Sequence, residues 1–471
     1  MTSLTFYGGV GVVGGNKILL EDGDTRVFLD FGLDYNQYGK YFEEYLKPRV
    51  GNGLGDFVEL DLLPSPNKLE GFYRSDLLEI NRSPVHKEVN FDGILVSHCH
   101  FDHTANISFV DERIPVYASE ITIGMIKAVQ ECGHGNFDSE IYSYKKRPIV
   151  RRGEPPIERT WRTVPSGKKF KVGDIEVKAF PVDHSVPGAM CYVLYTSEGA
   201  IFYTGDIRNH GALSHQTKEA LDALETEDID LMLCEGTRIR EADEQSEKLV
   251  KKRSTEIINK CNNLVIADYA FKDLTRFKTF YEIAKETGRK LVIGLRDAYI
   301  IKEVKSLVDL PELADDNLLI YLDKRGSGTF CDKDYNKKWM KYIISQDNKI
   351  TSEEVQKSQG DVIIRLSFYD FNDLVDINPS LGSEYIHSMC EPFNEEMAIS
   401  EERMKNWLER YRLPYRYVHC SGHANRPQLE EIVQRVNPRT LVPIHTEYPD
   451  LFKEFHDNVQ KPEKDKKIEL R

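Results

Sequence analysis

The chain has 471 residues, of which 40% are hydrophobic and 30% charged, and its formal net charge is −14. This length favours two domains over one core, no apolar run approaches the ~20 residues of a membrane span, and the N-terminus lacks a signal-peptide pattern. The acidic balance argues against nucleic acid as a general partner. The eight cysteines form no CxxC pair, which argues against a disulfide framework and predicts a reducing cytoplasm. The lack of a long apolar run predicts no membrane association.

The first 31 residues contain three strand-like segments separated by glycine-rich turns. Gly9, Gly11 and Gly14 match the pattern GxGxxG, but residues 16–30 read as strand, turn and strand rather than as a helix. A dinucleotide-binding loop needs a helix at that point, so we reject it. The polar stretch 34–92 reads as an insertion to which the sequence assigns no role.

Strand-like runs and one helix, predicted over 119–131, continue to about residue 235. Within this part, residues 145–171 carry ten Lys or Arg against two Glu. One interpretation is a solvated loop and hairpin. The other is a basic rim that faces phosphate groups.

From about residue 241 helices alternate with short apolar strands, which predicts a small sheet buried on both faces. Strand-plus-histidine segments like those of the first part return after it. We therefore predict that a second α/β domain, residues 241–385, is inserted into a first domain made of 1–240 and 386–471.

The segment "SHCHFDH" at 97–103 follows an apolar strand and crowds three histidines and an aspartate. On an extended segment His98 and His100 point the same way, so both imidazoles can hold one metal ion. Asp102 and His103 follow as the chain turns, and can face a second ion. These ligands suit Zn²⁺ or Mn²⁺. The alternatives are a closed zinc site or a coincidental polar turn.

Three later residues occupy strand ends in the same manner: His184, Asp206 and His445. A carboxylate such as Asp206 is suited to bridging two cations in a two-metal site that activates water. Asp206 in "TGD" is otherwise an ordinary turn residue.

In this order the motifs resemble those of the metallo-β-lactamase fold and, within it, the β-CASP nucleases. "FLDFG", "SHCHFDH", His184 and Asp206 match the four lactamase-fold motifs, and Glu235, His423 and His445 match the β-CASP motifs. The phrase "HCSGHA", followed by "PIHTEY", is most similar to the ribonuclease J group. The resemblance extends from residue 1 to about residue 450.

The resemblance implies an α/β fold: a four-layer αβ/βα sandwich with an inserted α/β β-CASP domain. It implies two Zn²⁺ ions per chain, with Mn²⁺ as a substitute. His98, His100 and His184 would hold one ion, and Asp102, His103 and His445 the other. Asp206 would bridge them, and Asp30 would support the site from beneath.

The same resemblance implies roles in catalysis and substrate binding. Asp102 and Asp206 would serve the reaction through the metals, and His423, paired with Glu235, would protonate the leaving oxygen. His419, Ser421 and Gly422, next to His423, would grip a substrate phosphate.

The implied function is a zinc-dependent ribonuclease for single-stranded RNA, acting in RNA processing and decay. It would be a 5′→3′ exonuclease with possible endonuclease activity, and a homodimer. Alternatives are a nuclease for DNA, a hydrolase of small thioesters or lactones, or a non-catalytic RNA-binding subunit.

The sequence departs from the ribonuclease J pattern at three places. The 34–92 stretch is longer than that group requires. Asn425 replaces a serine, which argues against strict recognition of a 5′-monophosphate. The chain ends about 26 residues after His445, and in this it resembles the shorter, archaeal members of the group. We expect structural roles for the remaining histidines, namely His86, His134, His210, His215, His387 and His456.

Overall fold

The computed structural model describes residues 1–85, 88–133, 135–147, 155–392 and 394–470. Its strands are β1 Thr2–Gly8, β2 Lys17–Asp22, β3 Thr25–Phe31, β4 Gly93–Leu95, β5 Val116–Ala118, β6 Ser143–Tyr144, β7 Ile157–Glu158, β8 Trp161–Thr163, β9 Lys169–Val172, β10 Ile175–Pro181, β11 Met190–Thr196, β12 Gly199–Tyr203, β13 Leu231–Glu235, β14 Val265–Asp268, β15 Lys290–Gly294, β16 Leu318–Leu322, β17 Lys349–Thr351, β18 Val362–Arg365, β19 Glu384–His387, β20 Tyr415–Tyr417, β21 Thr440–Ile444 and β22 Lys467–Glu469.

The α-helices lie between these strands, often immediately after a strand end. They are α1 Tyr35–Gly39, α2 Gly55–Glu59, α3 Ser75–Ile80, α4 Phe101–Thr104, α5 Glu120–Cys132, α6 Ser214–Leu224, α7 Glu247–Lys260, α8 Leu274–Glu286, α9 Leu295–Val304, α10 Met340–Ile344, α11 Ser352–Lys357, α12 Leu374–Ile377, α13 Glu395–Tyr411 and α14 Arg426–Val436. In the part of the chain that the structure describes, none of them is long and apolar enough to cross a membrane.

Two sheets face each other in the first part of the fold. One has the order β22-β1-β2-β3-β4-β5-β8 and the other the order β21-β13-β12-β11-β10-β9. Phe6, Leu29 and Leu95 of the first sheet pack with Tyr192 and Leu233 of the second in one buried core. Burial of such alternating side chains is the main force that joins two sheets.

Helices cover the outer faces of both sheets. The inner residues of α6 and α14, such as Leu221 and Ile432, share a core with the outer face of the second sheet. The outer face of the first sheet packs on α5 and on residues of the 34–92 insertion, among them Phe57 and Phe72. The order helix, sheet, sheet, helix is the predicted four-layer sandwich, and the predicted fold class is confirmed.

The 34–92 insertion contributes to this core and also forms a cavity wall. Tyr38, Lys40 and Lys47 line a cavity of about 1110 Å³ that extends to Phe101, in the middle of "SHCHFDH". The insertion thus lies beside the segment that carries the predicted metal ligands.

A third sheet, in the order β17-β16-β15-β18-β14-β19-β20, is parallel throughout. Its central strands are buried along their length, as in β14, where all four residues are buried. This agrees with a parallel sheet that has helices on both faces. Helix α5 of the first part packs against α9 of this unit.

The third sheet extends further along the chain than expected. Strand β20 at Tyr415–Tyr417 pairs with β19, although the predicted second domain ended at residue 385 and residues 386–471 were assigned to the first. Because β20 adds to the edge of the third sheet, we now propose a boundary near residue 418. The histidines of "YRYVHCSGHA" suggest a return to the first domain, but they follow β20, a strand of the inserted unit.

The glycine pattern at residues 9–14 lies in the loop between β1 and β2, with no helix after it. This agrees with the rejection of a dinucleotide-binding loop.

A buried ion pair joins the first two helices of the inserted unit, and it also fixes them to the segment that follows β19. Arg276 on α8 is fully buried and donates to both carboxylate oxygens of Glu247 on α7, at 2.8 and 3.0 Å. Its remaining amino group donates to the Ser388 carbonyl at 3.1 Å. Removing one partner of such a pair leaves an uncompensated buried charge.

We expect Arg276→Leu to lower the free energy of unfolding by about 3–5 kcal/mol, because Glu247 loses its counter-charge. Urea unfolding measures the change. Arg253→Leu on the exposed face of α7 is the matched control and should change stability by less than about 0.5 kcal/mol. Equal effects of the two substitutions would contradict the assignment.

Candidate metal centre

The "SHCHFDH" segment connects β4 to the short helix α4, and tight packing holds it in place. Asn16 donates its N–H to the Asp102 carbonyl at 3.1 Å, and Leu33 donates to the Phe101 carbonyl at 3.0 Å. A Cβ on Gly32 would lie 1.7 Å from the Asp102 carbonyl oxygen. Only glycine at position 32 lets the end of β3 approach the helix this closely.

Three histidine nitrogens and one carboxylate converge at one side of this segment. His98 Nε2 lies 2.9 Å from His100 Nδ1, and His184 Nε2 lies 3.2 Å from the same atom. Asp206 Oδ2 is 3.6 Å from His98 Nε2 and 3.8 Å from His184 Nε2. All four donors lie within 4.8 Å of one another, as the ligands of one ion would.

A second donor set shares Asp206. His445 Nε2 is 3.3 Å from Asp102 Oδ2, and His103 Nε2 is 3.6 Å from the same oxygen. Asp206 places Oδ2 3.3 Å from His103 and Oδ1 3.7 Å from His445. The structure therefore brings all seven predicted ligands into two adjacent sets with Asp206 common to both.

Hydrogen bonds at the far nitrogens orient the rings. His103 Nδ1 donates to Asp30 at 2.6 Å and His184 Nδ1 to the Gly422 carbonyl at 2.6 Å. His445 Nδ1 lies 2.9 Å from the Thr237 hydroxyl. With the proton held at Nδ1, the lone pair of Nε2 points into the donor sets, which is the usual outer arrangement of a metal-ligating histidine.

Asp30 lies beneath the metal centre and is completely buried. Its carboxylate accepts from the Ser97 N–H and hydroxyl, both at 2.7 Å, from His103 at 2.6 Å and from the Tyr203 hydroxyl at 2.5 Å. The backbone of Asp30 has a φ of 55°, a strained value for a residue with a side chain. Its four hydrogen bonds hold that conformation and the orientation of His103.

The chemistry of the donor sets fits divalent metal ions. His103 Nε2 and Asp206 Oδ1 are buried and have no hydrogen-bond partner in the described part of the chain. Unsatisfied buried polar atoms destabilise the fold unless a bound ion contacts them. Burial lowers the pKa values of His98 and His184 well below the ordinary value, so both rings are neutral ligands.

His103 behaves differently because carboxylates surround it. Burial alone would lower its pKa, but Asp206, Asp102 and Asp30 outweigh burial and hold the pKa well above the ordinary value. A positive charge is thus favoured at this position, and a bound cation provides one.

His423 and Glu235 form a pair beside the donor sets. His423 Nδ1 lies 3.0 Å from Glu235 Oε1 and 3.8 Å from Asp206 Oδ2. Burial opposes the charged ring, but Glu235 and Asp206 outweigh it and raise the pKa of His423 to about 9. Glu235 itself accepts from the N–H groups of Ile207 and Thr237, both at 3.1 Å.

The 419–422 segment runs along the same edge, but part of its hydrogen-bonding capacity is already used. The Ser421 N–H donates to Gln245 at 2.8 Å, and His419 Nδ1 lies 3.1 Å from the Ser388 carbonyl. Burial and Arg276 lower the pKa of His419 to about 3. A Cβ on Gly422 would lie 2.9 Å from the His184 ring, so glycine is required for this close approach.

Asn425, the departure from the ribonuclease J pattern, has a structural role. Its side chain caps α14 by accepting from the Gln428 N–H at 3.3 Å, and it donates to the Asp243 carbonyl at 2.9 Å. Since Asn425 is also buried, its amide is already engaged within the protein.

Several supporting residues were not found from the sequence. Thr237 orients His445, and the Gly9 carbonyl accepts from the His445 N–H at 2.8 Å. The glycine loop at 9–14 therefore supports the metal centre: a Cβ on Gly14, where φ is +83°, would lie 3.0 Å from Asp102. The available signal in the sequence was a glycine-rich loop, Gly9, Gly11, Gly14 and Gly15, that is not followed by a helix.

The basic segment 145–171 is only partly described, because residues 148–154 lie outside the described ranges. Arg147 pairs with Glu140 at 3.1 Å, and Arg159 is buried with its guanidinium on backbone carbonyls, including that of Ser108 at 2.8 Å. These two arginines are structural, so the phosphate-facing rim stays a prediction for the other residues.

Among the other histidines, His210 bonds Gln428 and the Ser421 carbonyl, at 2.9 and 3.0 Å. His387 lies 3.0 Å from Asp268, and His456 lies 3.0 Å from the Pro438 carbonyl. His86 and His134 lie outside the described residues.

Comparison with known families gives two matches. Residues 64–259 match the β-lactamase superfamily domain, and residues 412–455 match the RNA specificity domain of Zn-dependent metallo-hydrolases. The second match contains the "HCSGHA" segment and His445.

Among characterised proteins, the chain is 26% identical to ribonuclease J of Sinorhizobium meliloti over 76% of this chain and 58% of that protein. It is 23% identical to ribonuclease J 2 of Streptococcus pyogenes, over 94% of this chain and 69% of the relative. It is also 23% identical to ribonuclease J of Pyrococcus abyssi, over 75% and 74% of the two chains. The resemblance predicted from the motifs is confirmed.

A crystal structure of a protein of unknown function from Enterococcus faecalis V583 has the same fold. Its TM-score is 0.74 at 21% identity, and the match covers 99% of both chains.

We expect Asp30→Asn to weaken metal binding by about 10- to 100-fold, because His103 loses the carboxylate that fixes its ring. Competition with a chromophoric chelator measures this affinity. Asp24→Asn, in the exposed turn between β2 and β3, is the control and should bind metal as the unmodified protein does. Unchanged affinity in the Asp30 variant would show that the acid does not support the site.

Proposed function

We propose that this protein, a ribonuclease J-like β-CASP member of the metallo-β-lactamase superfamily, is a metal-dependent ribonuclease that hydrolyses single-stranded RNA. The observation that carries the proposal is the His423–Glu235 pair, 3.8 Å from the shared ligand Asp206. A proton donor at this position can protonate the leaving oxygen of a cleaved phosphodiester. The segment that carries His423 is also the one matched by an RNA specificity domain.

Two Zn²⁺ ions per chain are proposed, with Mn²⁺ as a functional substitute. His98, His100 and His184 would hold one ion, Asp102, His103 and His445 the other, and Asp206 would contact both. Imidazole and carboxylate donors without a thiolate suit either metal. When bound, the ions would supply the positive charge that acidifies water and stabilises a phosphorane-like transition state.

The residues of the chain prepare the site for that reaction. Asp30 and Thr237 fix the rings of His103 and His445, so the donor atoms need little reorganisation. The Gly422 carbonyl fixes His184 and thereby joins the metal centre to the segment that is proposed to hold substrate.

His423 is the proposed general acid. Its ring Nδ1 bonds Glu235, which leaves Nε2 to deliver a proton to the leaving oxygen of the cleaved phosphodiester. Glu235 stabilises the protonated ring before the transfer and is itself held by two backbone N–H groups.

The 419–422 segment is proposed to bind a phosphate group of the substrate. Because the Ser421 N–H is already bonded to Gln245, we assign the contact to the Ser421 hydroxyl, the Gly422 N–H and the His419 ring. A phosphate held there would lie beside the metal centre, because the Gly422 carbonyl accepts from the His184 ring at 2.6 Å. We propose 5′→3′ exonuclease action in RNA processing and decay, with possible endonuclease activity. Since Asn425 is engaged in capping α14, we expect tolerance of different 5′ ends.

We also propose a cytoplasmic homodimer. The support for the compartment is that all eight cysteines are free thiols, six of them buried. Sedimentation measurements test the dimer.

DNA cleavage is the alternative activity, because phosphate contacts alone do not discriminate the 2′-hydroxyl. Hydrolysis of a small thioester or lactone is a weaker alternative, because a small substrate does not need the third sheet. Strand β20 of that sheet leads into the 419–423 segment, which is proposed to hold substrate.

A single experiment tests the activity. Single-stranded RNA, 5′-labelled and bearing a monophosphate, a triphosphate or a hydroxyl, is incubated with metal-loaded protein, and matched DNA is tested beside it. We expect mononucleotides from RNA with each type of end. Fragments alone would indicate endonuclease action, and intact RNA would refute the proposal.

We expect Asp102→Ala to abolish turnover of RNA, because the second donor set loses a ligand that also contacts His445. The bound metal should fall from about two ions per chain to about one. Elemental analysis and circular dichroism check metal content and fold. Full activity of this variant would contradict the mechanism.

We expect His423→Gln to lower kcat by about 100-fold or more, with unchanged metal content, because the proton donor is lost but no ligand is. His456→Gln, whose ring contacts only a backbone carbonyl in the described chain, is the control and should keep full kcat. A rise in KM at constant kcat would instead assign His423 to substrate binding.

A further inference from the structure

A second cavity lies between the metal motif, helix α5 and the inserted unit. It has a volume of about 300 Å³, and Phe101, Ile126, Val129, Phe271 and Arg296 contribute to its wall. Phe101 stands in the chain between the predicted ligands His100 and Asp102. The cavity is therefore lined by the segment that carries these ligands, through Cys99 and Phe101.

The topology of the third sheet places Phe271 and Arg296 in the wall of this cavity and Lys272 against the Phe101 ring. Phe271 and Lys272 follow the carboxyl end of β14, and Arg296 follows the carboxyl end of the neighbouring parallel strand β15. In open parallel sheets this edge is the one at which ligands bind. Here the edge faces "SHCHFDH" across the boundary between the two units.

Two cations, Lys272 and Arg296, lie at this edge. The Lys272 ammonium lies 3.9 Å from the centre of the Phe101 ring and 3.5 Å from the Cys99 carbonyl. The exposed Arg296 lies 5.5 Å from the Phe271 ring. Neither has an ion pair with a described carboxylate, although the chain carries 77 acidic residues. Such cations beside a hydrolytic site favour an anionic ligand.

Apart from the cations, most of the cavity wall is apolar. Ile126 and Val129 of α5 form its floor, and Phe101 and Phe271 are half-buried aromatic walls. The one amide in the wall, Gln130, is already bonded to the backbone of Tyr142 and Ser143, each at 2.6 Å. A ligand in this cavity would contact aromatic ring faces and cations, but few hydrogen-bonding groups that could distinguish one base from another.

We propose that this cavity binds one nucleotide of the single-stranded substrate, with its base against Phe101 and Phe271 and its phosphate against Lys272 and Arg296. The inference rests on the proposed function, because it takes an RNA strand as the ligand. Aromatic faces combined with cations are the usual means by which proteins hold single strands without sequence preference. The cavity would hold a nucleotide near the cleaved linkage in register with the metal centre.

Binding of RNA with a single missing base tests the proposal. The probe is a fluorescein-labelled uridine strand of about eight nucleotides, with phosphorothioate linkages that resist cleavage and one abasic nucleotide at each position in turn. Fluorescence anisotropy with metal-loaded protein measures Kd. We expect one abasic position to weaken binding by about tenfold.

In Phe271→Ala and in Phe271→Leu, the intact strand should bind about tenfold more weakly, and the same abasic position should lose its effect. The leucine variant retains the apolar volume, which separates loss of the ring from disturbed folding. Tyr342→Ala, on exposed α10 before β17, is the matched control and should bind as the unmodified protein does.

Lys272→Ala should weaken binding of every strand about equally and reduce the slope of log Kd against log salt by about one. Lys290→Ala, an exposed lysine at the opposite end of β15, is its control and should leave the slope unchanged.

Affinity that does not depend on the abasic position, or a Phe271→Ala protein that keeps the full abasic effect, would overturn the proposal. So would identical salt slopes for Lys272→Ala and Lys290→Ala. Failure of the proposed function is separate: it would appear as intact unmodified RNA after incubation with metal-loaded protein, whereas the binding scan does not depend on cleavage.

Discussion

The buried carboxylate of Asp30 is the interaction on which the metal centre depends. It accepts four hydrogen bonds from three side chains and one backbone group, and these groups lie at the ends of two strands, β4 and β12. The first sheet provides Ser97 and His103 on the segment after β4, and the second sheet provides Tyr203 at the end of β12. The acid therefore joins the two layers of the sandwich at the edge where the ligands emerge.

Much of this arrangement was predictable because strand ends concentrate ligands. His98, His184, Asp206 and His445 each follow an apolar run, and parallel pairing places β12, which precedes Asp206, and β21, which precedes His445, on either side of β13. The division into two sets was implied by the resemblance, and the distances agree with it. The sequence could not indicate the supporting contacts of Thr237 or of the Gly9–Gly14 loop, because hydroxyls and glycines have too many ordinary roles.

The sequence was least informative where the two units meet. The histidines after residue 385 looked like a return to the first sheet, yet β20 pairs with β19 and extends the third. Hydrophobic alternation identifies a strand but not its neighbour, because pairing partners are set by packing far along the chain. The same limit applies to Phe271, Lys272 and Arg296, which attract no attention until the parallel topology places them opposite Phe101.

The hydrogen bond between His184 and the Gly422 carbonyl joins residues 238 positions apart, and His445 meets Asp102 across 343 positions. During synthesis on the ribosome, a nascent chain can therefore assemble the first donor set well before the second. His423 and His445 both follow the inserted unit in the chain, so they leave the ribosome after it. The second donor set and the His423–Glu235 pair can therefore form only after the inserted unit has been made, so the chain order delays assembly of the complete site.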